Sequence, residues 1–497
     1  MNTNRNLFRI SMTKPKNVLF ICSDQHSRLA SGCYGNKFVH TPNIDKLAEN
    51  GILFKNAYTN SPICVPSRGS IATGLNPHVL ELWDNCTPYF GQVNSWGHRM
   101  MLEGMRVVSI GKLHYRDSHD SNGFNEEIIP MHILDGKGLY FTICRNPIPT
   151  LKKFKQQIKD SGEGNSTYIS YDHAITKESI DWLKNEAPKY SNKPWALFVS
   201  LVSPHPPWIS PSKFYNLYSI EDMPLPIAYS ETERSMHPGL EDFRKFFGVQ
   251  EIFDDFTLKK VTAAYYGMIS YLDYNIGKLI DTLNKTGLIE NTYIIYTSDH
   301  GESMGHKGMF SKCNMYEESV GIPMILFGND LPKGKKVNTS TQLIDIFPTI
   351  LDATGVQKLD EDQEKQGESL FSILEGDTKE RTILSEQHSV GAKSAVFMVR
   401  KGKWKYVYYV EDYPSQLFDL EKDPMELYDL ALDSKYTDKL ITLEKELRIH
   451  VDPEKVDSKA KDKQAEKIEI AGGMEAVLKK GSTGYTPAPG EKPVFMS

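Results

Sequence analysis

Apolar residues along this chain gather in short unbroken runs set between longer amphipathic stretches. Asn17-Val-Leu-Phe-Ile-Cys-Ser23, Arg106-Val-Val-Ser-Ile110, Trp195-Ala-Leu-Phe-Val-Ser-Leu-Val202 and Tyr293-Ile-Ile-Tyr-Thr-Ser298 are almost uniformly apolar, and each is followed by a polar cluster. A strand with one wet face alternates; a strand that does not alternate is covered on both faces, as in a parallel sheet between helices. Helix signals lie between the runs. Thr41-Pro42 can open a helix that Gly51 closes. Asp172 to Asn185, Lys259 to Leu283 and Gln342 to Ala353 carry helical spacing. The alternation predicts an α/β fold with a large, doubly wound, mostly parallel sheet flanked by helices.

The pattern changes near residue 385. Ala395–Val399, Trp404–Val410 and Gln416–Leu420 read as hairpin strands parted by turns at Lys401-Gly402 and Tyr413-Pro414, with a helix around Thr437 to Ile449. The expected organisation is a main domain over 14–384 and a smaller C-terminal α+β subdomain with an antiparallel sheet over 385–450. A lysine-rich tail over 451–497 is expected either to be flexible or to act as an arm joining a homo-oligomer. Residues 116–170 read as long loops, and 209–255 as an excursion outside the main sheet.

Composition narrows the function classes. At 497 residues the chain can bury more than one folding unit. A net charge of −6 gives no general attraction to nucleic acid or to an anionic membrane, so an anion site has to be a local concentration of cations. No run approaches the ~18 apolar residues of a membrane span. Residues 1–16 are basic without an apolar centre, so no secretory signal is read and a cytoplasmic location is expected. The cysteines (Cys22, Cys33, Cys64, Cys86, Cys144, Cys313) show no paired spacing, which argues against a disulfide framework or a zinc site.

The candidate chemistry sits where the strands stop. Asp24-Gln25, Lys112 with His114, His205 and Asp299-His300 follow the four runs, and Cys64-Val-Pro-Ser67-Arg68 lies in a proline-stiffened loop that leads into a helix. Ligands in open parallel sheets bind beyond the carboxyl ends of the strands. Each residue alone has a plain structural explanation: a lone cysteine is ordinarily a small buried hydrophobe, and Asp24 could cap a turn. Their joint placement at one sheet edge points instead to a site. Pro66 and Ser67 are suited to opening the helix, which puts Cys64 at a terminus that favours negative charge. Arginine and lysine suit an oxyanion, histidine can exchange protons near neutrality, and two carboxylates suit a hard divalent cation.

Cys64-Val-Pro-Ser-Arg68, with Gly69-Ser70 and Thr73-Gly74 beyond it, resembles the signature of the sulfatases, whose cysteine is converted after translation to formylglycine. The likeness extends from Lys16 to about Leu430 and includes Gln416–Pro424. It implies that a sulfate monoester is hydrolysed to alcohol and sulfate, with the hydrated formylglycine at Cys64 attacking sulfur. Asp24, Gln25, Cys64, Asp299 and His300 would hold a divalent metal, Ca²⁺ in the first place and Mg²⁺ or Mn²⁺ as alternatives. Arg68 would hold the hydrate and His114 would assist release of sulfate. Lys112, His205 and Lys312 would bind the sulfate, and His205 or Lys312 would protonate the leaving oxygen. Gln25 and His300 stand where many members have Asp and Asn, a departure similar to choline-sulfatase-like members. A formylglycine-generating enzyme would be a required partner.

Trp83-Asp84-Asn85, Gly111–His114 and Ser385–His388 also resemble the choline-sulfatase branch. On that likeness Glu386 and His388 are further substrate-binding candidates, His306 is another from the stretch Gly305–Lys312, which resembles the sulfatase segment after the Asp-His-Gly strand, and Trp83, Trp96 and Trp208 could wall a quaternary ammonium. The substrate expected is a small-molecule or saccharide sulfate ester: choline sulfate, an aryl sulfate or a sulfated sugar. Phosphonate monoester or phosphodiester hydrolases of the same alkaline-phosphatase-like superfamily are the first alternative, against which Lys112 with His114 counts. The second is a non-catalytic anion-binding protein with unmodified Cys64.

Overall fold

A computed structural model describes residues 14–495 except 378 and 412. Most of the stretch read above for a leader, residues 1–13, lies outside the described residues. The four apolar runs form strands β1 (Asn17–Ser23), β3 (Arg106–Lys112), β5 (Trp195–Ser200) and β6 (Thr292–Ser298). Four more complete the sheet: β2 (Ile52–Phe54), β4 (Glu126–Met131), β7 (Met324–Phe327) and β8 (Lys335–Val337). Their order is β8-β2-β7-β6-β1-β5-β3-β4. Every pairing is parallel except those of β7, which runs antiparallel to β2 and β6.

Lack of alternation in β1 has the predicted cause. Val18 and Phe20 pack with Ile346, Phe347, Ile350 and Leu351 of the helix Ile346–Thr354. Leu19 and Ile21 face the other way, onto Leu272, Ile276, Leu279 and Leu283 of the helix Asp255–Thr286. Both faces are dry, and all seven β1 residues are buried.

Residues 116–170 depart from the loop reading, since β4 extends the main sheet from the β3 edge and the helix Thr167–Asn185 begins before the segment ends. Residues 209–255 do stay outside that sheet; Ile209–Ser210 pairs only with Gly162–Glu163. A second, four-stranded antiparallel sheet comprises β9 (Thr382–Gln387), β10 (Val396–Lys401), β11 (Trp404–Tyr409) and β12 (Gln416–Asp419).

Apolar packing, with Ile383, Met398, Val407 and Phe418 in one core with Met315, Tyr316 and Val320, and a cluster of buried charges together fasten this sheet to the segment that follows β6. Lys405 of β11 is fully buried and pairs with Glu317 at 3.0 Å and Glu426 at 2.6 Å. Glu317 also receives Arg28 and the Tyr58 hydroxyl, the latter at 2.9 Å, and its backbone N–H donates to Glu426 at 2.7 Å. Burial works against ionisation of Glu317, yet Lys405, Arg28 and Arg400 outweigh it and bring its pKa down to about 2. Burial and the Glu317 charge prevail over Lys405 at Glu426, which is pushed up to about 7.

The tail is neither loose nor extended outward. It forms the helices Pro453–Ile470 and Gly473–Lys480 and folds back on its own chain. Gln464 donates to Asp84 at 2.7 Å and to the His388 carbonyl at 2.9 Å, while Arg145 donates to Gln464 at 2.7 Å. Lys467 donates to the Cys86 carbonyl at 2.7 Å. Among the described residues, no helix is long and apolar enough to cross a membrane.

Candidate active site

Register brings the polar strand ends together. Ser23 pairs with Ser298, Cys22 with Ser200 and Gly111 with Ser200, so β1, β6, β5 and β3 end level with one another. Asp24, Asp299-His300, Lys112 and the loop to His205 therefore leave the sheet at one height. The Cys64 loop arrives from beneath them as the helix Cys64–Thr73, every residue of which is buried. That helix starts at Cys64 rather than at Pro66, and Ser67 caps nothing. Its hydroxyl instead donates to the Asp299 carbonyl at 2.6 Å, tying the helix to the β6 end.

Arg68 is the hub of the floor. Nε donates to Asp299 at 2.9 Å, Nη2 to Asp24 at 3.1 Å, and Nη1 to the Lys112 carbonyl at 2.7 Å and Ser200 at 2.9 Å. Lys112 reaches Asp24 at 2.5 Å. Burial would raise the Asp24 carboxyl, but Lys112, His205, Lys312 and Arg68 hold it well below the usual carboxylate range. Carboxylate oxygens of Asp24 and Asp299, the Cys64 thiol and a ring nitrogen of His300 lie within 4.8 Å of one another. Four buried donors, two of them carboxylates pointing at a common centre, fit a divalent cation. Just past them Gly301 is obligatory, because a Cβ there would collide with the Glu318 carbonyl oxygen.

Gln25 is held by Glu302, which takes its amide N–H, so the amide oxygen is turned to Lys312 at 2.6 Å. Lys312 also lies 3.4 Å from the Cys64 sulfur, and His300 Nε2 lies 3.3 Å from it. Burial and Asp24 would push the Cys64 thiol up; Lys312, Lys112 and His300 overcome both and lower it. Cys313 N–H donates to the Pro62 carbonyl at 3.1 Å, docking the Lys312 loop on the Cys64 loop. Gln25, His114, Ser311 and Cys313 all have positive φ, a concentration of backbone strain of the kind kept at working sites.

Above this floor lies a cavity of about 100 Å³, lined by Cys64, His114, His205 and Lys312 among others. Neither ring nitrogen of His114 has a partner, although the residue is only 4% exposed. Two orphaned polar atoms beside a cavity call for a ligand that bonds to them. His205 donates Nδ1–H to the Pro206 carbonyl at 2.7 Å and rests edge-on against Tyr168. Burial lowers the pKa of both histidines, helped by Lys112 at His114 and by Lys312 at His205. Three cations, Arg68, Lys112 and Lys312, outnumber the carboxylates Asp24 and Asp299, so the site is built for an anion.

Asp24, Gln25, Cys64, Arg68, Lys112, His114, His205, Asp299, His300 and Lys312 are thus brought together; the remaining candidates are not. His306 lines a separate cavity with Tyr34, Phe38 and Tyr265 and accepts from Ile227 N–H at 3.1 Å. Glu386 accepts from His78 Nδ1 at 2.8 Å and from His388 at 2.9 Å, which binds the helix Pro77–Leu80 to β9; neither Glu386 nor His388 lines the site cavity. The tryptophans form no wall either. Trp96 packs on Phe20 and Phe198, Trp83 on His388, and Trp208 on Phe154. Each was drawn inward by its apolar area. Asn85 is the converse case: it lines the cavity and its amide oxygen accepts from Val65 N–H at 3.0 Å, bracing the loop at Cys64.

The Glu386 contact has a measurable consequence. Burial would raise the Glu386 carboxyl, but His78 and His388 bring it from 4.5 down to about 2. A depressed carboxylate contributes stability above its unfolded pKa and loses it as the pH falls through the folded one. The contribution therefore fades between 4.5 and about 2, and corresponds to about 3 kcal/mol at most. Glu386→Gln is expected to lower Tm near neutral pH and to flatten the acid limb of Tm against pH. An acid limb identical to that of the parent protein would show that this carboxylate carries none of it.

Comparison with known proteins agrees with the site. The profile of the family described as Sulfatase matches residues 16–356, and that described as N-sulphoglucosamine sulphohydrolase, C-terminal, matches residues 305–452. The choline-sulfatase of Rhizobium meliloti (strain 1021) is 29% identical over 471 residues, covering 91% of this chain and 90% of its own. Arylsulfatase K of Mus musculus is 30% identical over 482 residues, covering 90% and 81%. Among solved structures, the phosphonate monoester hydrolase of Agrobacterium radiobacter superposes with a TM-score of 0.72 at 24% identity, over 90% of this chain and 96% of its own, and shows the same fold. The chain belongs to the sulfatase family. It is a sulfuric ester hydrolase.

Proposed function

We propose that the protein hydrolyses a sulfate monoester through a formylglycine derived from Cys64, beside a divalent cation held by Asp24, Asp299, His300 and residue 64. The observation that carries this is the convergence of that thiol, two carboxylates and an imidazole within 4.8 Å, beneath a cavity edged by Lys312, His114 and His205. Two carboxylates and the Gln25 amide oxygen nearby favour a hard cation of the calcium or magnesium kind. When present, the cation would supply positive charge opposite the sulfuryl oxygens, and the formylglycine a hydrated aldehyde able to act as nucleophile.

The chain's own residues supply the rest. Arg68, fixed by four hydrogen bonds, orients Asp24 and Asp299. Lys312 and His205 face the cavity where the sulfuryl group and the leaving oxygen would sit; one of them gives that oxygen its proton. His114, with neither ring nitrogen partnered, would be placed to take a proton from the formylglycine hydrate. A formylglycine-generating enzyme is the partner this reading requires.

The test is sulfate release from a panel of choline sulfate, an aryl sulfate and sulfated saccharides, with an aryl phosphonate scored for its phenol. The protein is coexpressed with a formylglycine-generating enzyme, and conversion of Cys64 is checked by peptide mass. At least one sulfate ester is expected to exceed the phosphonate in kcat/KM by about 100-fold or more. Faster phosphonate turnover would reassign the enzyme to phosphonate monoesters, the activity named for its structural neighbour.

A further inference from the structure

The cavity above Cys64 is not finished by the main domain. Ser482, Gly484, Tyr485 and Thr486, more than 400 positions beyond Cys64, form one side of it. They are held there by built contacts. Tyr168 donates its hydroxyl to the Thr486 carbonyl at 2.6 Å, and its ring meets the Tyr485 ring edge-on at 5.3 Å. The same Tyr168 ring lies 5.7 Å from the His205 ring, also edge-on, so Tyr168 joins the tail to His205. Gly484 turns the segment at φ +81°, a conformation that glycine alone enters without strain. The Thr483 hydroxyl donates to the Tyr485 carbonyl at 2.6 Å, Gly484 N–H donates to Ser482 at 3.0 Å, and Ala488 is buried in the core beyond.

The remaining walls are uncharged: the aromatic rings of Phe154, Phe246 and Phe247 and aliphatic groups such as Ile63, Leu139 and Val390 alternate with the amides of Asn85 and Gln157 and the hydroxyls of Thr142 and Ser311. Away from the catalytic groups, no lysine, arginine, aspartate or glutamate lines the cavity. No charged side chain there could neutralise the further sulfates or carboxylates of a polyanionic saccharide, and about 100 Å³ leaves room for one small ring or a short chain.

We propose that Ser482–Thr486 is the specificity wall of the alcohol pocket and limits the leaving group to a compact, uncharged alcohol of the aryl class, whose ring would lie among Phe154, Phe246, Phe247 and Tyr485. The inference rests on the sulfatase reading above. Its test compares kcat and KM for phenyl sulfate, naphthyl sulfate, choline sulfate and a sulfated disaccharide in the parent enzyme, Tyr485→Ala and Thr486→Trp, each with formylglycine confirmed. The parent is expected to prefer phenyl sulfate. Tyr485→Ala opens the wall, and the naphthyl-to-phenyl ratio of kcat/KM is expected to rise about tenfold. Thr486→Trp narrows it, and KM for both aryl esters is expected to rise about tenfold with kcat changing less. A selectivity loss through mere unfolding would lower all esters together and leave the ratios alone.

Ratios unchanged within about twofold in both variants would overturn the wall while leaving the sulfatase reading intact. A parent enzyme that prefers choline sulfate or the disaccharide would overturn the assigned alcohol class. If the confirmed formylglycine form releases no sulfate from any ester, the sulfatase reading fails and takes the proposal with it.

Discussion

Cys64→Ala is expected to lower kcat/KM for sulfate esters by at least about 10,000-fold, the scale seen when a nucleophile is removed from a preorganised site. The loss should fall on turnover and not on folding. Cys64 is the first residue of a wholly buried helix, and removing one sulfur beside a cavity costs about 1 kcal/mol against the 5–15 kcal/mol of a typical fold. The floor beneath it survives, because Arg68 holds Asp24 and Asp299 without the thiol. Activity, Tm and bound metal measured on the same sample separate the three. Turnover within about tenfold of the parent protein would remove residue 64 from the chemistry.

The second large effect concerns stability. Lys405→Met takes away a cation that faces both Glu317 and Glu426 in a region closed to water, leaving two carboxyl groups against Arg28 and Arg400. The expected loss is about 3–5 kcal/mol in denaturant unfolding, the cost of breaking a buried pair on one side. Glu426→Gln in the same chain should recover part of it, since Glu317 would then keep Arg28 without a competing charge. A double-mutant cycle reads this directly. Additivity within about 0.5 kcal/mol would mean that Lys405 and Glu426 do not act as a unit.

Sequence alone displayed the centre of this fold clearly and its periphery poorly, for physical reasons. β1, β3, β5 and β6 are buried on both faces, so their apolar runs are continuous, and the polar residues after them mark the site. β4 escaped notice because it is an edge strand. Glu126-Glu127-Ile128-Ile129-Pro130-Met131 is half-exposed and carries a proline, which usually argues against a strand but is tolerated where no further strand follows. The helix Pro453–Ile470 escaped for another reason. Its inward face is Asp457, Ala460, Gln464 and Ile468, where hydrogen bonds to Arg145, Asp84 and backbone replace an apolar stripe. Lys405 likewise reads as a solvated position on an alternating strand, and its burial is set by carboxylates far away in the chain. Tyr168 and Tyr485 had no local signal at all, since their role exists only once the tail has returned to the helix Thr167–Asn185.

That return also imposes an order on biosynthesis. Translation delivers Cys64 early, hundreds of residues before Ser482–Thr486 leave the ribosome. In the finished molecule Cys64 is 1% exposed, at a cavity that Ser482–Thr486 help to line. An enzyme that acts on its side chain would meet the loop uncovered on the nascent polypeptide and buried at the bottom of a cavity afterwards. On the proposed formylglycine reading, the residue to be modified is therefore made first and the segment that walls its cavity last, an order set by the direction of synthesis alone.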